Sequence, residues 1–200
     1  MVAGSTSTTR SGAGPTDAAL VVAARAGERW AQEALFQRHC RLVIALSQRL
    51  LPHSADADDL VQDAFVYAFH RLDSLQNPQA FAAWIASIVV RTASKRLRRQ
   101  RLLTRLGLQR NEPVDLDTVV SPSAPPEVVS ELKAVYSLLD RLPAEQRVAL
   151  VLRRVEGMEL AEIATAMKLS LATVKRRLVL AEARLERERE RERQRDRSAG

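Results

Sequence analysis

The chain has a single cysteine, Cys40. No intrachain disulfide can form, which suits a reducing compartment and excludes a cysteine-based zinc cage. Cys40 falls in a helical stretch and reads as a small core residue. The three histidines, His39, His53 and His70, lack the spacing of a zinc site. Aromatics make up only 4% of the 200 residues, so the core has to be aliphatic. Glycine (7) and proline (8) are few, and β-rich extended runs are rare. That scarcity predicts an all-α protein. Long apolar runs are missing as well. The most apolar later run, Ala82 to Val90, holds nine residues including Ser87, against about 20 for a membrane-spanning helix. The opening MVAGSTSTTRSGAGPT has no hydrophobic run of signal-peptide type. The expectation is a soluble, cytoplasmic protein.

What is present is charge, and it is segregated. The formal net charge is +7. Seven cations and no carboxylate lie between Lys95 and Arg110. Four aspartates and no cation lie between Ala55 and Asp63. An excess of cations favours a nucleic acid or an acidic surface, although a plain solubility surface has the same look. Arginine outnumbers lysine 27 to 4, a hint of a GC-rich genome.

Helical periodicity organises the chain. Thr16 or Asp17 can cap a short helix, Ala18 to Ala26, which Gly27 breaks. A longer helix, Glu28 to Leu51, places Trp30, Leu35, Leu42, Leu46 and Leu50 near helical spacing, and Pro52 closes it. The sharpest pattern follows: Leu60, Val61, Ala64, Phe65, Ala68, Phe69 and Leu72 form one apolar stripe. Asp56, Asp58 and Asp59 precede or open that helix. They either favour the positive end of its dipole or form a face for a partner. Asp63 lies a turn further in, where the dipole explains less. After the loop DSLQNP, a fourth helix carries Phe81, Trp84, Ile85, Ile88 and Val89 on one face and runs on into KRLRRQR.

The resulting organisation is two small helical domains joined by a flexible linker. Residues 1–16 read as a disordered N-terminus, 17–105 as the first domain, 106–126 as the linker, 127–186 as the second domain and 187–200 as a charged tail. The linker holds Gly107, Pro113, Pro122, Pro125 and Pro126 with few large apolars. The second domain starts with a helix from Glu127 to Leu142. Pro143 begins another at its first turn, and Gly157 ends it. The tail, with near-balanced arginines and carboxylates, reads as a solvated helix or a fraying end without a site.

The segment Leu160 to Val179 is the most informative. Leu160, Ile163, Ala164 and Met167 give a short helix with one buried face. Lys168-Leu169-Ser170 makes the turn, and Ser170 can cap the next helix, whose buried side is marked by Val174, Leu178 and Leu185. Thr173, Lys175, Arg176 and Arg177 then point mostly away from the core. A helix-turn-helix whose second helix enters a major groove has this pattern. An ordinary αα-hairpin with a charged face has it too, but three adjacent cations without an anion between Leu169 and Ala181 favour DNA. Lys168 occupies a turn position that often takes glycine, so a left-handed lysine there costs about 1 kcal/mol. In the first domain the cationic strip follows an aromatic-bearing helix and sits beside the polar loop Ser74 to Asn77. Cations hold phosphates, and aromatics or polar loops hold unstacked bases. The acidic helix would repel phosphates and therefore looks like a protein-binding face.

Two long stretches carry a family resemblance. ADADDLVQDAFVYAFHRLDSL followed by FAAWIASIVVRTASKRLRR resembles the first domain of extracytoplasmic-function sigma factors of bacterial RNA polymerase. LLDRLPAEQRVALVLRRVEGMELAEIATAMKLSLATVKRRLVLAEARL resembles their second. The resemblance implies a core-polymerase surface at Asp58, Asp59, Gln62, Asp63 and Phe65, meeting the clamp helices of the largest subunit. It implies minus-ten DNA contacts at Ser74, Gln76, Asn77, Trp84, Arg91, Lys95, Arg96, Arg98 and Arg99, with the loop holding a flipped-out base. It implies minus-thirty-five contacts at Ser170, Ala172, Thr173, Lys175, Arg176 and Arg177. The polymerase flap and, in many members, an anti-sigma factor are further implied partners. The linker would thread the polymerase near its RNA exit path. Arg91 and Lys95 stand where many members carry asparagine and aspartate, so the strip is more basic than usual. The family needs no cofactor and opens promoters without ATP. The chain accordingly has no GxxxxGK loop, and binding energy must offset a few kcal/mol per unstacked base.

Two other readings compete. A helix-turn-helix regulator acting without polymerase accounts for residues 127–185 but leaves the acidic helix unexplained. A nucleic-acid enzyme would have to rest on Asp58, Asp59 and Asp63 as Mg²⁺ ligands, since no nucleophile and base stand at sensible spacing.

Overall fold

The computed structural model describes residues 14–51, 54–108 and 124–199. Eight α-helices and two 3₁₀ turns form the described chain, and no strand occurs among the described residues. The first unit comprises α1 (Asp17–Arg25), α2 (Arg29–Leu50), α3 (Ser54–His70) and α4 (Phe81–Arg105). The second comprises α5 (Pro126–Asp140), α6 (Ala144–Arg154), α7 (Leu160–Met167) and α8 (Leu171–Ala199). The all-α, two-unit expectation therefore holds.

Local chemistry sets most boundaries. Thr16 Oγ1 accepts from the Ala19 amide at 3.3 Å and starts α1. Gly27, at φ +88°, lets the chain turn left-handed, and the Glu28 amide reaches back to the Ala23 carbonyl at 3.1 Å. Leu51, the residue before Pro52, is extended (φ −127°, ψ 92°), as a pre-proline residue prefers. Pro143 does not enter α6 as a helical residue. It is extended (φ −53°, ψ 142°) and stands just ahead of Ala144. Of the expected disordered N-terminus and linker, residues 1–13 and 109–123 lie outside the described residues. The expected linker ends early, since Pro126 already opens α5. The charged tail continues α8 as helix to Ala199.

The apolar stripe of α3 packs as its spacing predicts: Leu60, Ala64, Phe65, Ala68 and the following Leu72 are buried, with Val61 and Phe69 partly so. In α2 the expectation needs correction. Trp30 is 54% exposed and Leu42 is 42% exposed, while Ala31, Leu35, His39, Val43, Leu46 and Leu50 face inward. Trp30 precedes Leu35 by five residues, a rotation of about 140° at 3.6 residues per turn, so the two cannot share a face. Cys40 is only partly buried at the edge of the core, not a core residue proper. His39 was assigned no role by the sequence. It is buried, 3.0 Å from Asp17 Oδ2, with its ring 5.2 Å from Phe81.

The two units are closed on each other. α4 packs against α6 and α7, and α2 packs against α6. α6 is therefore buried nearly all round, from Ala144 through Leu152, including Gln146 and Arg147. Arg147 is 4% exposed. It pairs with Asp140 of its own unit and donates to the Leu50 carbonyl of the other at 3.2 Å. Burial pushes the Arg147 guanidinium below its ordinary pKa, and Asp140 opposes that shift. Arg49 meets Glu156 at 2.6 Å, and Arg98 meets Glu145 at 3.1 Å, across the same junction.

Candidate functional site

Three sets of side chains converge on surfaces rather than on a single pocket. On α3, Asp58, Asp59, Gln62 and Asp63 are all exposed. The i, i+4 spacings 58–62 and 59–63 place them on one side of the helix, opposite the buried stripe. Phe65 does not join them. It is 4% exposed, its ring 4.7 Å from Phe36 and 6.0 Å from Phe69. It supports the helix from inside and has little surface to offer a partner. Val66 and Tyr67, each 51% exposed, are the large hydrophobic side chains of α3 that stand well into solvent. Among the described residues, no three of His, Cys, Asp and Glu gather as a metal cluster.

The second set lies on α4 and the loop before it. Ser74, Gln76 and Asn77 are exposed. Ser74 Oγ donates to the Arg71 carbonyl at 2.7 Å, and Asn77 Oδ1 accepts from the Gln79 amide at 3.1 Å. Both side chains thus shape the loop as well as line it. The loop is pinned from across the unit: Arg25 of α1 donates to the Leu72 carbonyl at 3.0 Å and also to that of Leu75. Sequence reasoning missed Arg25, because 47 residues separate it from Leu72 and nothing local marks it. Trp84 is half-buried, 6.0 Å from the Phe81 ring.

The basic strip of α4 does not face one way. Lys95 and Arg99 are exposed. Arg91 leans on Ser87 Oγ at 2.8 Å, and burial holds its guanidinium below the ordinary value against the weaker pull of Tyr67. Arg96 turns toward α3, pairing with Asp63 and donating to the Asp56 carbonyl at 2.9 Å. Its predicted role as a DNA contact shares that guanidinium with the acidic face. Arg98 is drawn to Glu145 of the second unit. Five residues separate Arg91 from Arg96, again about 140° of helix, so a run of cations in sequence cannot be one stripe in space.

The third set is the helix-turn-helix. Glu159 and Glu162 form a reciprocal capping box at the start of α7. Lys168 adopts the left-handed conformation (φ 53°, ψ 50°) predicted for it. There the Leu169 amide reaches the Ala164 carbonyl at 2.9 Å and ends the helix. Ser170 Oγ accepts from the Thr173 amide at 3.2 Å and lies 2.8 Å from Thr173 Oγ1, so both hydroxyls serve the cap. Val174, Leu178 and Ala181 are buried. Ala172, Lys175 and Arg176 are exposed. Arg177 differs from expectation: its side chain is 20% exposed and pairs with Glu145 at 2.5 Å, turned back against α6. Glu145 therefore touches a cation from each basic surface, Arg98 and Arg177. Sequence reasoning did not single it out, because an acidic residue in the first turn of α6 has a sufficient local explanation in the helix dipole.

Comparison with known proteins bears on all three sets. The family model Sigma-70 region 2 matches residues 35–102, and Sigma-70, region 4 matches residues 132–185. The chain is 36% identical over 172 residues to the ECF RNA polymerase sigma factor SigM of Mycobacterium tuberculosis, covering 86% of this chain and 84% of that protein. It is 30% identical over 180 residues to the ECF RNA polymerase sigma-E factor of Escherichia coli K12, covering 86% and 93%. Among solved structures, CnrH in complex with the cytosolic domain of CnrY superposes with a TM-score of 0.57 at 29% identity, over 85% of this chain and 94% of that one. The sigma factor RpoE of Bartonella quintana, solved with the anti-sigma factor NepR, gives 0.60 at 22% identity over 78% and 94%, a likeness of fold. The two family matches fall in chain order on the helices that carry the acidic face and the helix-turn-helix, and the chain belongs to the extracytoplasmic-function sigma factors of RNA polymerase.

Proposed function

We propose that this sigma factor binds core RNA polymerase through the acidic face of α3 and directs it to promoters bearing two separated elements. Asp58, Asp59, Gln62 and Asp63 meet the clamp helices of the largest subunit. The Ser74–Asn77 loop, Trp84, Arg91, Lys95 and Arg99 take the minus-ten strand. Ser170, Ala172, Thr173, Lys175 and Arg176 read the minus-thirty-five element from the start of α8. The observation that carries this reading is the separation of charge on the folded surface. An exposed anionic face on α3 suits a protein partner and repels phosphate, while exposed cations on α4 and α8 suit DNA.

The closed arrangement has a consequence for promoter binding. With α7 packed on α4 and Glu145 holding Arg98 and Arg177 together, the two DNA surfaces are held close. Reading two separated elements requires the junction to open, and polymerase binding supplies the energy by gripping each unit apart. Opening of the duplex proceeds without ATP, by capture of unstacked bases. The protein performs no catalysis of its own and works in the cytoplasm, where its polymerase is. CnrH and RpoE were each solved with a protein bound, and an anti-sigma factor is a partner of this chain on the same grounds.

A test combines purified protein with core polymerase and genomic DNA and sequences the transcripts. Transcripts starting downstream of a shared pair of elements are expected, and Asp59→Arg should suppress them. Tight, specific DNA binding by the protein alone, unchanged by polymerase, would favour a self-sufficient regulator.

A further inference from the structure

One concavity of the described chain lies outside every surface assigned above. It is a cleft of about 620 Å³ where the end of α4 meets the α5–α6 turn, α6 and α8. Its lining includes Arg101 and Arg105 of α4, Arg141 of the turn, Arg147 of α6 and Arg184 of α8. Asp140 is the only carboxylate in that lining, and it is engaged with Arg147. Arg141 is paired with Glu188 at 2.6 Å and Arg147 with Asp140, so Arg101, Arg105 and Arg184 are the three guanidiniums of this concave space with no ion pair among the described residues. Like charges this close destabilise the closed state unless something neutralises them.

The individual residues show the imbalance. Arg101 donates to the Asp140 and Arg141 carbonyls at 3.2 and 2.8 Å, neutral acceptors, and the one carboxylate that acts on its charge is that of Asp140, already paired with Arg147. Burial and repulsion from Arg105, Arg184 and Arg147 lower the pKa of its guanidinium. Arg105 and Arg184 are exposed and form no ion pair among the described residues. The Nε–H of the buried Arg147 finds no acceptor among them either. Convergent guanidiniums favour ligands with several adjacent anionic oxygens, because each planar fork binds two oxygens at once.

We propose that this interdomain cleft binds a small polyphosphate, an anion carrying two or more contiguous phosphate groups. The volume falls in the range of small-ligand sites, about 300–1,000 Å³, and a concavity of that size suits such an anion better than a duplex. Because the cleft is built from both units, a ligand there binds only the closed arrangement and stabilises it by mass action. The site goes beyond the promoter-directing role, and its test needs neither polymerase nor DNA.

Inorganic tripolyphosphate is titrated into the full-length protein by calorimetry at constant ionic strength, with sulfate as the control anion. Saturable one-site binding is expected, at least tenfold tighter than sulfate. The variant Arg105→Gln with Arg184→Gln changes two exposed side chains and relieves repulsion on Arg101, so its unliganded thermal midpoint should equal the native one or lie slightly above it. Its affinity for tripolyphosphate should fall at least tenfold. A nucleoside triphosphate run in parallel separates the sources: tighter binding than tripolyphosphate assigns the ligand to nucleotides, and equal or weaker binding assigns it to inorganic chains. Binding no tighter than sulfate, or equal binding by the native and double-variant proteins, would overturn the proposal.

Discussion

Reversing charge on the acidic face of α3 should weaken polymerase binding, and the structure shows which residue gives the cleaner test. Asp59 and Asp63 sit a turn apart, but their surroundings differ. Asp63 pairs with Arg96, with its own side chain 60% exposed and that of Arg96 26% exposed. Asp63→Arg would therefore bring two guanidiniums together and cost the fold up to about 1 kcal/mol, the upper end for a solvent-screened pair. Asp59 is exposed and has no ion-pair partner among the described residues, so Asp59→Arg should leave stability within about 0.5 kcal/mol of native. At an interface, one unit-charge pair at 4 Å contributes about 1 kcal/mol in a water-like medium and about 4 at an effective dielectric of 20. Turning attraction into repulsion doubles the change, so about 2 kcal/mol is a lower estimate. That is about 30-fold in dissociation constant. The assay is fluorescence anisotropy of labelled protein titrated with core polymerase at 0.1 M salt and again at 1 M. The deficit should shrink at 1 M, where the screening length falls to about 3 Å. Native-like affinity of Asp59→Arg at low salt, or a deficit indifferent to salt, would refute the assignment of this face.

Lys175→Glu with Arg176→Glu should abolish minus-thirty-five recognition in a footprint while polymerase binding and the thermal midpoint hold. Arg177→Glu should also destabilise the second unit, since it would set a carboxylate against Glu145. Lys168→Gly should stabilise the protein by up to about 1 kcal/mol, because it relieves a left-handed lysine at some cost in unfolded-chain entropy. Lys168→Val should destabilise it, and chemical denaturation reads both. Arg25→Met leaves the Leu72 and Leu75 carbonyls without their charged donor, a loss of about 1–3 kcal/mol. Permanganate footprinting of the opened strand should show weaker minus-ten capture in that variant, while its affinity for core polymerase stays native.

Much of the second unit was legible from short-range pattern alone. The capping geometry of Ser170, the left-handed turn at Lys168 and the buried face marked by Ile163, Val174 and Leu178 depend on residues within a few positions of one another. The same holds for the α3 stripe and for the exposure of Asp58, Asp59, Gln62 and Asp63, which follows once the opposite face is known to be buried. Helical periodicity fixes which residues share a side, and caps fix where the helix begins and ends.

Other features were decided by what the helices pack against. Arg96 leaves the DNA side of α4 because Asp63 and Asp56 wait on the other. Arg25 positions a loop 47 residues away, and Arg147 is buried because the two units close over α6. The amino-acid order set the helices, their apolar faces and the separation of acidic from basic segments, since these arise from interactions between near neighbours. Only the tertiary structure decided which charges are spent inside the molecule, because pairing between distant segments depends on how whole helices dock and leaves no periodic mark in the chain.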